Sequence, residues 1–175
     1  MHAALESIKA EITTALVGLD ATQIQATPAQ HPEKWSIHQI AEHLLQTYRA
    51  TFPALRERIE KRTPTRAIPS LQQKMGQFLI INLGRFPSGR RAPDIVTPGS
   101  PTTLKTGAEL SNEFQVLLSE LDTLVTQGEE LFGTRRAVSH IILGPLSMVQ
   151  WCGFHRTHAR HHIKQIGAIR RDHAF

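Results

Sequence analysis

The chain has 175 residues, 40% hydrophobic and 20% charged, with a net charge of +5 and one cysteine. That length predicts a single domain over residues 1–175, large enough to bury a core, while the lone Cys152 excludes an intramolecular disulfide and a cysteine-based zinc cluster. Both signs of charge are mixed along the chain, so nucleic-acid binding is permitted but not expected, and no apolar run approaches the roughly 20 residues of a membrane span.

The stretch Met1–Glu6 lacks the basic and unbroken apolar regions of a secretion signal, and a cytoplasmic location is the expectation. Leu5, Ile8, Ile12, Leu16 and Leu19 then follow three-four spacing and predict a first amphipathic helix. Residues 20–35 read as a connection. "KWSIHQIAEHLL" opens a second helix, with Ser36 as N-cap, Gln39 completing a capping box and Trp35 placed to staple against Ile40. Its stripe continues through Ile37, Ala41, Leu44, Tyr48, Leu55 and Ile59. Pro53 is expected to kink or interrupt it, and Thr63-Pro64 ends the pattern.

A short helix is expected near residues 70–83, with Leu71, Met75, Phe78 and Leu79 on one side. Next comes "RFPSGRRAPDIVTPGSPTT", residues 85–103, with four prolines, two glycines and three arginines. That composition predicts a long loop, and loops of such length in compact domains often serve function. Leu110, Phe114, Leu117, Leu121 and Leu124 mark another long helix, with Gly128 as its expected stop. Residues 129–146 read as a connection. Ser147, with Gln150 as box partner, caps a last helix running to about Arg170, its C-terminal end crowded by Lys164, Arg170 and Arg171. No internal repeat and no convincing strand is visible. The fold class is all-α: a four-helix bundle with a short extra helix and a long Pro/Arg-rich loop.

The chain holds ten histidines, four of them in "FHRTHARHHIKQ". At about 100° per residue, Trp151, His162, Gln165 and Ile169 fall within about 40° of His158. His158 and His162 therefore share the inward stripe, while His161 lies to one side. Histidines at i and i+4 aim both imidazoles at one point, the spacing of helical metal sites, and burial of two unpartnered imidazoles is costly. A solvated face or ordinary hydrogen-bonded histidines would give the same spacing. A metal site would need a third ligand from another helix. His43, at the edge of the second helix's apolar stripe, is the best placed. His38 lies on the polar side and fits less well, His155 is a reserve on the same helix as the pair, and Glu42 faces away. Gln165 is either a hydrogen-bond partner of an imidazole or a surface residue. Trp35 and Trp151 read as core, and Cys152 as a small buried hydrophobe rather than a catalytic thiol. Arg85, Arg90 and Arg91 form either a solvated loop or a site for an anionic substrate group.

"KWSIHQIAEHLL" resembles the Trp-Ser…His-Leu opening of the second helix in DinB-like (YfiT-like) proteins. "LGPLSMVQW" followed by "HARHHIKQI" resembles that superfamily's final-helix motif, His-x-x-x-His-x-x-Gln. The two segments cover about forty residues, and the motif lands on His43, His158, His162 and Gln165. The resemblance implies a four-helix bundle, commonly a homodimer, with a divalent metal held by three histidines. Zinc and nickel are the usual occupants of such sites. It also implies a small-molecule substrate, since characterised relatives include S-transferases using bacillithiol or mycothiol and a thiol-dependent maleylpyruvate isomerase. The 85–101 loop matches no functional motif of that superfamily.

Three neutral imidazoles on an ion leave a position open, as catalytic sites do. The leading expectation is metal-dependent transfer of a low-molecular-weight thiol to an electrophile. The alternatives are a metal-dependent hydrolase and a non-enzymatic, metal-stabilised ligand-binding or stress protein.

Overall fold

The structure, a computed structural model, describes every residue except Ser88, Arg90, Ser100, Pro101 and Thr102. Among the described residues five α-helices form: α1 (Ala3–Leu16), α2 (Ile37–Lys61), α3 (Leu71–Gln77), α4 (Gly107–Phe132) and α5 (Met148–Asp172). Both α4 and α5 pack against α1 and α2, and they also touch each other. The four long helices thus make a bundle, and the α2–α5 seam sets residues of the two histidine-bearing helices face to face. The expected all-α class is what the structure shows, and among the described residues no helix is long and apolar enough to cross a membrane.

Apolar periodicity explains why these helices close on one core. Leu5, Ile8, Ile12 and Leu16 of α1 meet Leu44, Tyr48 and Leu55 of α2, Leu110, Phe114 and Leu118 of α4, and Trp151, Ile166 and Ile169 of α5, all buried. Four of the helices begin with a capping box: Ser36–Gln39, Ser70–Gln73, Thr106–Glu109 and Ser147–Gln150. In the second-helix box the Gln39 N–H donates to Ser36 Oγ at 3.2 Å and the Ser36 N–H to Gln39 Oε1 at 3.0 Å. Each cap stabilises its helix start by about 1 kcal/mol.

Several expectations are corrected. Pro53 does not break α2, which runs unbroken through it. Pro53 and Arg49 both lie on the exposed face, where the carbonyl left without a donor meets water. Gly128 is not a stop. A Cβ there would come within 2.4 Å of Met148 Cε, so the glycine admits a core methionine, and α4 continues to Gly133, which turns with φ 58°. Residues 129–146 are more than a connection, for they include an antiparallel hairpin of β1 (Val138–His140) and β2 (Gly144–Leu146), paired Val138 with Leu146. His140 Nδ1 accepts from the N–H groups of Ile142 and Leu143 and shapes the turn. The 20–35 connection contains a 3₁₀ turn, Gln23–Gln25.

The short helix departs most. α3 passes into a π turn, Phe78–Asn82, and the apolar side expected from its periodicity faces outward: Leu71, Met75 and Phe78 are exposed. Its packed side is made by Gln77 and Ile80. Gln77 Nε2 donates to the Leu143 carbonyl at 2.7 Å, and the Thr157 hydroxyl donates to the Ile80 carbonyl at 2.8 Å. These two bonds tie α3 to the hairpin and to α5, one residue from His158.

Where α1 ends against the start of α4, the Gly107 N–H donates to the Leu19 carbonyl at 2.9 Å. A Cβ on Gly107 would lie 2.0 Å from the Leu16 carbonyl oxygen, a backbone atom that cannot rotate away. Gly107→Ala is therefore expected to destabilise the fold by about 2 kcal/mol or more, read as a lower urea midpoint at unchanged slope.

Candidate metal centre

α2 brings His43 to the α2–α5 seam while its neighbour Leu44 fills the core, and α5 brings His158 and His162 one turn apart on its facing side. The three side chains are buried, each only 4–6% exposed. His158 Nε2 stands 3.2 Å from His43 Nε2 and 3.1 Å from His162 Nε2. One nitrogen from each ring lies within 4.8 Å of the other two.

The far nitrogens explain what the near ones can do. His43 Nδ1 lies 2.7 Å from the Val96 carbonyl oxygen, which only accepts, so this Nδ1 carries the proton. His162 Nδ1 likewise donates to Gln165 Oε1 at 2.8 Å. Both rings therefore turn an Nε2 lone pair toward His158. A single proton on His158 Nε2 would have to serve two acceptors. Protonating further is opposed by the surroundings. Burial, then the neighbouring imidazoles, hold His158 well below the usual histidine value. The same causes lower His162 to about 3, and burial lowers His43.

This donor set fits a divalent cation. At about 2.0–2.1 Å from one ion, imidazole nitrogens lie roughly 2.9–3.4 Å apart for angles of about 90–110°, and the two spacings from His158, 3.2 Å to His43 and 3.1 Å to His162, fall in that interval. A cation would satisfy all three lone pairs at once, without the cost of charging a buried ring. The polar partners behind His43 and His162 are the kind that orient metal-binding imidazoles.

Other predicted residues are placed differently. His155 does not join the cluster; it is buried against the ring of Tyr48, with Nε2 3.3 Å from Thr51 Oγ1. His38 is not on a polar face but buried, with Nε2 unpartnered among the described residues. His161 flanks the site, accepting at Nε2 from the Gln165 amide nitrogen at 3.3 Å. Gln165 thus bridges His162 and His161. Glu42 pairs loosely with Arg49 at 3.5 Å. Cys152 is fully buried, and its thiol is pushed up to about 12 by burial, then by Glu129 and Asp122. Arg85 and Arg91 are exposed; Arg91 lies 3.5 Å from Asp94, and neither bonds to the histidines. Arg90 lies outside the described residues.

Three contacts escaped the sequence reading. The ring of Trp35 lies 5.0 Å from that of His43, and Phe86 lies 4.9 Å from His158 and 5.2 Å from His161. The third is the Val96 carbonyl. Phe86 is the one aromatic residue of the 85–103 loop, a cue for an anchored position, whereas a backbone carbonyl leaves no mark in side-chain patterning.

A family model described as the DinB superfamily matches residues 4–166, a span that holds all three histidines and Gln165. No curated protein and no solved structure gives a significant match to the chain.

Two imidazoles outside the triad, the buried His155 and the half-buried His140, make stability depend on acidity. Burial lowers His140 to about 4 and His155 to about 3, where neighbouring His140 adds to the effect. Unfolded, both take up protons from about pH 6.5 downward, while the folded chain resists until about 4 and 3. Stability present at neutral pH is therefore lost as pH falls through that window, by up to about 1.4 kcal/mol per pH unit for each histidine. Urea unfolding of metal-free protein between pH 7 and pH 4.5 is expected to show this slope. His155→Phe, which leaves Thr51 bonded to the Thr47 carbonyl, is expected to reduce it by about one proton's worth.

Proposed function

The chain belongs to the DinB superfamily, and from that premise we propose that His43, His158 and His162 hold one divalent ion, zinc or nickel, in a transferase that joins a low-molecular-weight thiol to an electrophilic small molecule. The observation that carries this reading is the convergence of three imidazole Nε2 atoms whose outer nitrogens, in two of the rings, are held by acceptors. When bound, the ion supplies Lewis acidity, which favours the deprotonated form of a thiol or of water at neutral pH.

The chain's own residues do the rest. The Val96 carbonyl and the Gln165 amide fix the tautomers of His43 and His162, so their lone pairs stay aimed inward. His161, at the end of the Gln165 bridge, is half-buried and holds an Nε2 lone pair at the edge of the site. Burial, then Lys164, keeps it below the usual histidine value, and the neutral ring accepts from Gln165 and steadies the bridge to His162. Phe86 and Trp35 cover the imidazoles and keep bulk water from them. The nucleophile comes from outside the chain, because Cys152 is buried and held in its thiol form.

A second reading rests on the near-complete burial of the triad. A site so enclosed also suits an ion whose role is to stabilise the bundle, without turnover. The assay separates the two. Metal-loaded protein is offered monochlorobimane or chlorodinitrobenzene with bacillithiol, mycothiol or glutathione. Thiol-dependent conjugation that disappears in His158→Ala supports transfer. A large fall in melting temperature on chelation with no turnover for any thiol supports the stabilising role, and ester hydrolysis without thiol assigns a hydrolase instead. Gln165→Leu is expected to weaken zinc or nickel affinity about 10–100-fold, read by competition with a chromophoric chelator, while the melting temperature of metal-free protein stays unchanged.

A further inference from the structure

The apolar side of α3 ought to be covered. Met75, Phe78 and Ile142 are each more than half exposed, yet α3 is held firmly in this pose by Gln77 and Thr157. Exposed apolar clusters on an otherwise ordinary surface mark binding sites. Here the surface is concave, for α3, the π turn and the hairpin tip enclose a cavity of about 780 Å³. That is the size of a small-molecule site rather than of a flat partner surface. Gly76 keeps the wall thin, since even a Cβ there would approach Leu143 Cδ2 to 3.1 Å.

The cavity has a direction. Ser70, Gln72, Gln73 and Lys74 line it from the first turn of α3, whereas Leu79, Ile80 and Phe86 line it from beyond the last. Gln72 and Ile80 are separated by roughly 12 Å of helical rise. Lys74 is the one charged residue in the lining and makes no ion pair among the described residues. At the opposite end Phe86 belongs to both places: it lines the cavity and lies tilted beside the ring of His158. Phe86 is thus shared between the cavity lining and the surroundings of His158 and His161.

We propose that this cavity binds the substrate of the triad: an elongated, largely apolar molecule whose anionic group pairs with Lys74 and whose reactive end meets the histidines at Phe86. The proposal rests on the metal reading above for its chemistry, but the cavity can be tested independently of it.

The probe is 8-anilinonaphthalene-1-sulfonate, an apolar aromatic anion whose fluorescence rises on apolar burial. The full chain is expected to bind it saturably at one site. Met75→Glu and Ile142→Glu, both at exposed positions, are expected to weaken binding about tenfold or more, because a carboxylate would face the apolar body and the sulfonate. Lys74→Glu is expected to do the same. Val116→Glu, at an exposed apolar position on α4, leaves affinity unchanged, and melting curves confirm that every variant is folded. Unchanged affinity in both Met75→Glu and Ile142→Glu, or an equal loss in Val116→Glu, overturns the proposal. The link to the triad is read with one equivalent of Co²⁺. Bound probe is expected to be quenched in the parent protein, and His158→Ala restores its emission. Full emission beside a bound Co²⁺ overturns the link. A chain that takes up no Co²⁺ but still binds the probe through Met75 and Ile142 fails the metal reading while upholding the cavity.

Discussion

Two imidazoles turned lone pair first toward a third, inside a helical bundle, set the terms for everything around them. His43 and His162 have no freedom to present an N–H inward, because the Val96 carbonyl and the Gln165 amide oxygen already hold their protons on the outer side. His158, nearly inaccessible and resistant to protonation, cannot satisfy both neighbours with one hydrogen. A core that concentrates acceptors in this way carries a desolvation cost that a cation would offset. The bundle supplies the framework for it, placing α2 against α5 so that a histidine from each side reaches the same point.

The long 85–103 loop matters through two anchors rather than through its arginines. Val96 closes over His43 with a backbone carbonyl, and Phe86 lays its ring beside His158 and His161. The loop thereby fixes one imidazole and covers another. Arg91, readable either as solvated or as a recogniser of anions, stays exposed near Asp94, as an exposed pair of modest energetic weight. Lys74, on the short helix, lines the cavity that Phe86 also lines.

Much of this was legible in the sequence because helices write their geometry with a short period. The i, i+4 spacing of His158 and His162 fixes a common face whatever the tertiary context, and Ser36–Gln39 and Ser147–Gln150 mark helix starts through local hydrogen bonds alone. His43 was readable because Leu44 beside it identifies the buried edge. The failures share another physical origin. Whether Gly128 ends a helix or admits Met148 depends on a residue twenty positions away. Three-residue strands such as Val138–His140 are too short for alternation to show. The stripe of Leu71, Met75 and Phe78 has core periodicity but faces outward, since hydrogen bonds from Gln77 and Thr157 decide which side of α3 packs. His38, placed on a polar face by its spacing, is buried by tertiary contacts.

The metal reading turns on the number and kind of atoms around one ion. X-ray absorption at the metal edge of protein loaded with one equivalent of zinc or nickel counts them directly. Three imidazole nitrogens at about 2.0–2.1 Å are expected, falling to two in His43→Ala. A shell without imidazole scattering, or one unchanged in that variant, would contradict it.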